Sequence, residues 1–220
     1  MEMMNRIGRI LTILTACSLF MGCASFTRNN LPNVGVLLPP APDAEKPAAT
    51  FEFSSEVDMM GKRSHPENAR SMLEAELVEV LHESGYFATL DKGSDGKDLS
   101  VNVHLVNSGN PAALVPAMIT GFSLYTIPSW VTDTFNIVCT IKAADGKEYE
   151  YTLEDSITSA QWLPMIFAFP FNMPNKVGVE VRKNIYRNLI MRMQEDGLLP
   201  KSGNLTKTSN LMISFEIAPA

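Results

Sequence analysis

The pair Gly22-Cys23, closing the apolar run "ILTILTACSLFMG", is the place in this chain best suited to covalent chemistry. A thiolate is a strong nucleophile. The small side chain of Gly22 lets a peptidase reach the backbone, and the Cys23 thiol can accept a diacylglyceryl group. Cys17, in "LTAC", offers the same chemistry as a rival, but it leaves only about seven apolar residues after Arg9, the lower end of the range for a secretory segment. Cys23 is therefore the expected lipidation site.

Other reactive constellations are weaker. The chain contains no G-x-S-x-G, no H-E-x-x-H and no P-loop. Adjacent Glu154 and Asp155 could do acid/base work, although the end of a surface strand is the ordinary home of such a pair. His65, His82 and His104 fall in a helix cap, on a helix flank and on the polar phase of a strand, without the spacing of a metal site. The expectation is a protein that is not an enzyme and uses neither cofactor nor metal.

With 220 residues, 45% hydrophobic and 19% charged, the chain can bury one real core. Arg6 and Arg9 followed by about a dozen apolar residues have the layout of a secretory signal, and the run is shorter than the ~20 residues of a membrane span. Loss of residues 1–22 removes Arg6, Arg9 and Glu2, so 18 basic and 24 acidic residues become 16 and 23, a net charge of −7. Nothing in that balance invites nucleic acid. Cys139 would be the one thiol left unacylated, so no intramolecular disulfide is expected, and "TFNIVCTI" reads as a buried strand around it.

The motif "LFMGCASF" resembles the lipobox of bacterial lipoprotein precursors. The resemblance implies a chain that begins at Cys23, carries palmitate or similar acyl chains there, and is held on a membrane by its N-terminal lipid. In that family an aspartate after the cysteine favours retention in the inner membrane. Here the residue is Ala24, which implies the outer membrane, facing the periplasm.

Residues 23–48 contain Pro32, Pro39, Pro40, Pro42 and Pro47 and read as a tether, with a possible edge strand at 34–38. The domain proper is expected over 49–199, with a tail at 200–220 whose "LMISFEI" could add a strand. "ATFEFSSEV" alternates as a strand. A helix over 65–84 carries the stripe Ala69, Leu73, Leu77, Val80 and Leu81, with Ser64 and Glu67 in capping-box spacing and Gly85 as its stop. Glu74, Glu76, Glu79 and Glu83 read as its solvated side. "YFATL" and "LSVNVHLVNSG" look like neighbouring strands, and "AADGKE" like the turn of a hairpin. A second helix over 176–196 repeats Val177, Val181, Ile185, Leu189 and Met193 after Asn175 as a cap, with Arg182, Lys183, Arg187 and Arg192 on a solvated basic face. The fold class is thus α+β: an antiparallel sheet of about four to five strands with both amphipathic helices on one face.

No Asp, Glu, Lys or Arg occurs between Asp98 and Asp133, or between Asp155 and Lys176. The apolar segments 111–131 and 156–175 in these stretches are broken by prolines, which argues against spanning helices. They emerge at the same end of the hairpin. They either pack on each other entirely or leave part of the pair exposed to membrane or partner through Tyr125, Trp130, Trp162, Phe167, Phe169 and Phe171.

"GFSLYTIPSWVTDTF", the hairpin, and "WLPMIFAFPFNMPNKV" together resemble a family of uncharacterised Gram-negative outer-membrane lipoproteins, from about Asp98 to Leu199. In element order the chain is also loosely similar to the curli-secretion channel lipoprotein. Its proline-rich silent stretches lack the alternation of barrel strands, which speaks against a barrel role. Two functions follow as expectations. One is a non-enzymatic envelope lipoprotein of structural or assembly role, an accessory or self-associating subunit. The other is a periplasmic binding module that holds a lipid or hydrophobic peptide on the two apolar segments.

Overall fold

The computed structural model describes residues 23–59, 61–94 and 98–203. The secretory segment, Cys17 and the "LMISFEI" tail lie outside them. Among the described residues seven strands form one open sheet, and three α-helices accompany it. The strands are β1 Cys23–Thr27, β2 Ala48–Met59, β3 Lys62–Ser64, β4 Thr89–Lys92, β5 Leu99–Gly109, β6 Ser129–Ala143 and β7 Glu148–Gln161. The helices are α1 Glu67–Ser84, α2 Leu114–Phe122 and α3 Pro174–Glu195.

The sheet runs β1-β7-β6-β5-β2-β3, with β4 also on β2. It is larger than the four or five strands expected, and it is mixed. β2 pairs parallel with both β4 and β5, while the other pairs are antiparallel. "YFATL" therefore does not pair with β5. Only Thr89–Lys92 is strand, because a chain that leaves β2 and returns through a helix comes back parallel to it.

One face of the sheet carries α1 and α3, as the stripes required. Phe51, Phe53, Val101, Val103, Leu105, Ile137, Cys139 and Ile141 from alternate strand positions join Leu73, Leu77, Leu81, Val181, Ile185, Leu189 and Met193 in a single buried cluster. The opposite phase, with Glu52, Asn102, Glu150 and Glu154, stays at least partly exposed. α1 ends on Gly85, whose φ of 68° is the left-handed value a glycine stop supplies, but Ser64 bonds Val57 O rather than capping the helix. Asn175 likewise is not the cap of α3; the helix begins at Pro174, after Met173.

Three charged readings change. Glu76 and Arg182 are not solvated: the guanidinium grips the carboxylate through Nε and Nη2, each at 2.7 Å, between α1 and α3. Lys183 reaches Glu79 and Arg187 reaches Glu180. Each helix buries a flank beside its apolar stripe because the other helix lies against it. Asp155 is not at a surface strand end either; it is buried within β7 and accepts from the backbone N–H groups of Asn30 and Ser156.

The largest correction concerns residues 23–48. Cys23–Thr27 is an edge strand, antiparallel to β7, and 34–38 is not a strand. The remainder is a strap laid over α3. Asn184 donates to Pro32 O and accepts from Val34 N, Asn188 donates to Pro32 O, and Arg187 donates to Val34 O. Tyr86 donates to Leu38 O at 2.6 Å. Proline-rich backbone makes few hydrogen bonds within itself, here a turn from Ala44 N–H to Ala41 O, so it takes partners from the buried amides of α3 and from Lys201 and Gly203.

Candidate functional site

β6 and β7 run on past the charged part of the hairpin into both silent stretches, pairing Ser129 with Gln161. Small polar side chains hold these ends together: Thr132 with Thr158 at 3.0 Å, Ser129 with Gln161 at 3.4 Å, and Ser25 of β1 with Ser159 at 2.5 Å. Cys23 faces Gln161 in the same row, and Gly109 closes β5 opposite Met59 of β2. This end of the sheet is the apex.

α2 and a short 3-10 turn at Leu163–Ile166 project from the apex. They meet where Leu163 N–H donates to Tyr125 O at 2.8 Å. Leu124 and Tyr125 hold φ of 52° and 61°, a left-handed pair without glycine. Such residues cost roughly 1–2 kcal/mol each, and the neighbouring bonds hold them: Tyr125 N–H donates to Thr120 O at 2.8 Å and Leu124 N–H to Gly121 O at 3.1 Å. The two silent stretches thus do meet at one end of the hairpin, and they leave much of their apolar surface outside.

The structure brings the predicted contact residues to this apex. Phe171 is 84% exposed, Phe167 82%, Trp130 66% and Trp162 40%. Tyr125 and Phe169 are partly covered. The broad description of 111–131 as apolar did not single out Phe122 (86% exposed), Leu124 (72%), Val115 or Met118 of the same projection. Met59, contributed by β2 and also exposed, had no sequence signal, since only the strand register places it here.

The predicted lipidation residue, Cys23, opens β1 at this same end and is half-buried, and burial pushes its thiol above the usual value. Between α2 and the sheet a cavity of about 180 Å³ is lined by Met59, Pro111, Leu114, Ala117, Val131 and Asp133. Burial holds the Asp133 carboxyl above the usual carboxylate range. Among the described residues no three His, Cys, Asp or Glu side chains gather as a metal site would require, and no helix is long and apolar enough to cross a membrane. His104 instead meets Ser54 at 2.8 Å, and His65 meets Ser55 O at 3.3 Å.

No family model and no curated protein matches the chain. Among solved structures, a minor lipoprotein from Acinetobacter baumannii is 16% identical, covering 71% of this chain and 96% of that one, at a TM-score of 0.35. A PelC dodecamer from Paraburkholderia phytofirmans is 8% identical, covering 74% of this chain and 97% of that one, at a TM-score of 0.25. A putative neuraminyllactose-binding hemagglutinin homolog from Helicobacter pylori is 10% identical, covering 77% and 90%, at a TM-score of 0.35. Likenesses at this level assign neither family nor function.

Proposed function

We propose that the mature chain begins at an acylated Cys23 and serves as a non-enzymatic lipoprotein of the bacterial envelope, with a structural or assembly role. Its place in this reading is the outer membrane, on the periplasmic side, for which Ala24 after the cysteine is the supporting residue. The observation that carries the proposal is positional: the lipobox-like cysteine is the first residue of a sheet strand, at the end where the two charge-free stretches emerge and apolar side chains stand exposed. The carboxylate most open to a catalytic reading, Asp155, is engaged in fixing backbone.

The competing reading, a module that encloses a lipid or hydrophobic peptide, has less support. Of the two cavities beside α2, the one lined by Leu114 and Val131 is about 180 Å³ and the one lined by Pro116, Pro128 and Trp130 about 350 Å³, so only the second reaches the roughly 300–1,000 Å³ of typical ligand sites, at the lower end. Labelled palmitate supplied to cells making the protein tests the proposal. Label should enter the parent chain and the Cys17→Ser variant and be absent from Cys23→Ser. Label that persists in Cys23→Ser and vanishes in Cys17→Ser would overturn it.

A further inference from the structure

We infer that the apex is itself a membrane-insertion surface, entering the same phospholipid leaflet that receives the anchor, so that the domain sits on the bilayer rather than hanging from it. The inference rests on the reading of Cys23 as the point of attachment, and it adds the membrane as the occupant of the apolar face.

The first support is the absence of slack. A tethered domain could turn any face to the lipid, but here Cys23 is already hydrogen-bonded sheet, opposite Gln161. Whatever precedes Cys23, acyl chains or the apolar run 10–22, leaves the fold at the apex. Phe122, Leu124, Phe167 and Phe171 are therefore carried to the bilayer by the anchor itself.

The second support is the backbone of the projection. Lipid offers no hydrogen bonds, so a segment that enters it must satisfy its own polar groups. Thr120 Oγ1 donates to Pro116 O, Ser123 Oγ to Thr120 O and Thr126 Oγ1 to Ser123 O, while Ile127 N–H donates back to Ser123 Oγ. The helix end and the turn after it thus bond largely to themselves. The third support is charge. Neither apical stretch holds an Asp, Glu, Lys, Arg or His; at its border Lys62 at the start of β3 and Lys176 in the first turn of α3 are exposed, while the carboxylates nearest it, Asp58 and Asp133, are partly covered. That is the arrangement of an apolar face framed by cations at the headgroup level. A second copy of the chain would have to cover the apex where the leaflet already begins, which favours lipid as the occupant.

The chain contains two tryptophans, Trp130 and Trp162, and both lie at the apex, so intrinsic fluorescence reads the site without labels. Full-length protein extracted from membranes is reconstituted into phosphatidylethanolamine–phosphatidylglycerol vesicles with or without bromine on the acyl chains. Insertion to the headgroup–acyl boundary should lower tryptophan emission roughly two-fold in the brominated vesicles. A Phe122→Asp/Phe167→Asp variant, checked for native circular dichroism, should still float with the vesicles but lose that quenching. Parent protein that floats yet is not quenched by bromine overturns the inference, and tryptophans also shielded from acrylamide would then point to a second copy on the apex. The intact mass of the same sample reports acylation at Cys23 independently. The mass decides the anchor and the bromine quenching decides the apex.

Discussion

Arg182→Met should be among the most damaging single changes available in this fold. The guanidinium makes two 2.7 Å bonds to Glu76, both side chains are 9% exposed, and its carbon centre lies 5.1 Å from the Phe135 ring centroid. Removing the cation leaves a carboxylate between α1 and α3 whose assigned charged partner has gone. Breaking a buried pair from one side costs about 3–5 kcal/mol, against a total stability of about 5–15 kcal/mol for a typical domain. With a urea dependence of about 2 kcal/mol per molar, the unfolding midpoint should fall by roughly 2 M. Glu76→Leu together with Arg182→Met removes both desolvated charges and should return the midpoint to the parent's or above it. The assay is urea unfolding, followed by circular dichroism, of the chain from residue 23 carrying Cys23→Ser. Single variants within about 1 kcal/mol of the parent, the range of an exposed pair, would refute the burial argument.

Leu77, fully buried beneath the sheet, should cost about 2–5 kcal/mol when cut to alanine, and a change within error would contradict the packing of α1. Burial pushes the Cys139 thiol up to about 12, so in the folded protein it should resist alkylation at pH 8 and react only on unfolding. The same shift has a stability consequence. The unfolded thiol ionises near its ordinary value while the folded one stays protonated to about 12, so stability should decline as pH rises across that window. Cys139→Ala should flatten the decline, as read from urea midpoints over alkaline pH.

Elements whose information is local were legible. The stripes of α1 and α3, the left-handed stop at Gly85 and the turn that joins β6 to β7 follow from periodicity and turn chemistry, which act over a few residues. The apical aromatics were legible as a set because absence of charge over some twenty residues is itself a local signal. What was not legible depends on neighbours distant in sequence. Glu76 and Glu79 look alike on a helical wheel, and only α3 decides that one is buried against Arg182 while the other stays half outside with Lys183. A complementary reading was available, since an acidic row on one amphipathic helix and a basic row on the next are each other's natural partners. Met59 reached the apex through register, which no single strand encodes.

The strap changes the mechanics of the whole molecule. Some 25 residues of free tether, extended at roughly 3.3–3.6 Å each, would let the domain roam about 80 Å from its anchor. Prolines made that reading reasonable, because they exclude helix and central strand. They do not exclude a laid-on segment whose carbonyls are met by side-chain amides, and Asn184 and Asn188 supply those amides from α3. On the proposed acylation of Cys23, the β1–β7 pairing would fix orientation as well as distance: the apex would face lipid and the strands would run away from it. β7, 14 residues long, carries the chain about 45 Å from the apex to the Ala144–Lys147 turn. A soluble envelope partner would then meet the far end or the polar sheet face with Glu52, Glu150 and Glu154, not the aromatics. Because β1 keeps its pairing with β7, Asn184→Ala with Asn188→Ala should free the strap at Pro32 and Val34 and lower the urea midpoint, while leaving palmitate labelling and the bromine quenching of the apex as in the parent, which separates what holds the domain together from how it stands.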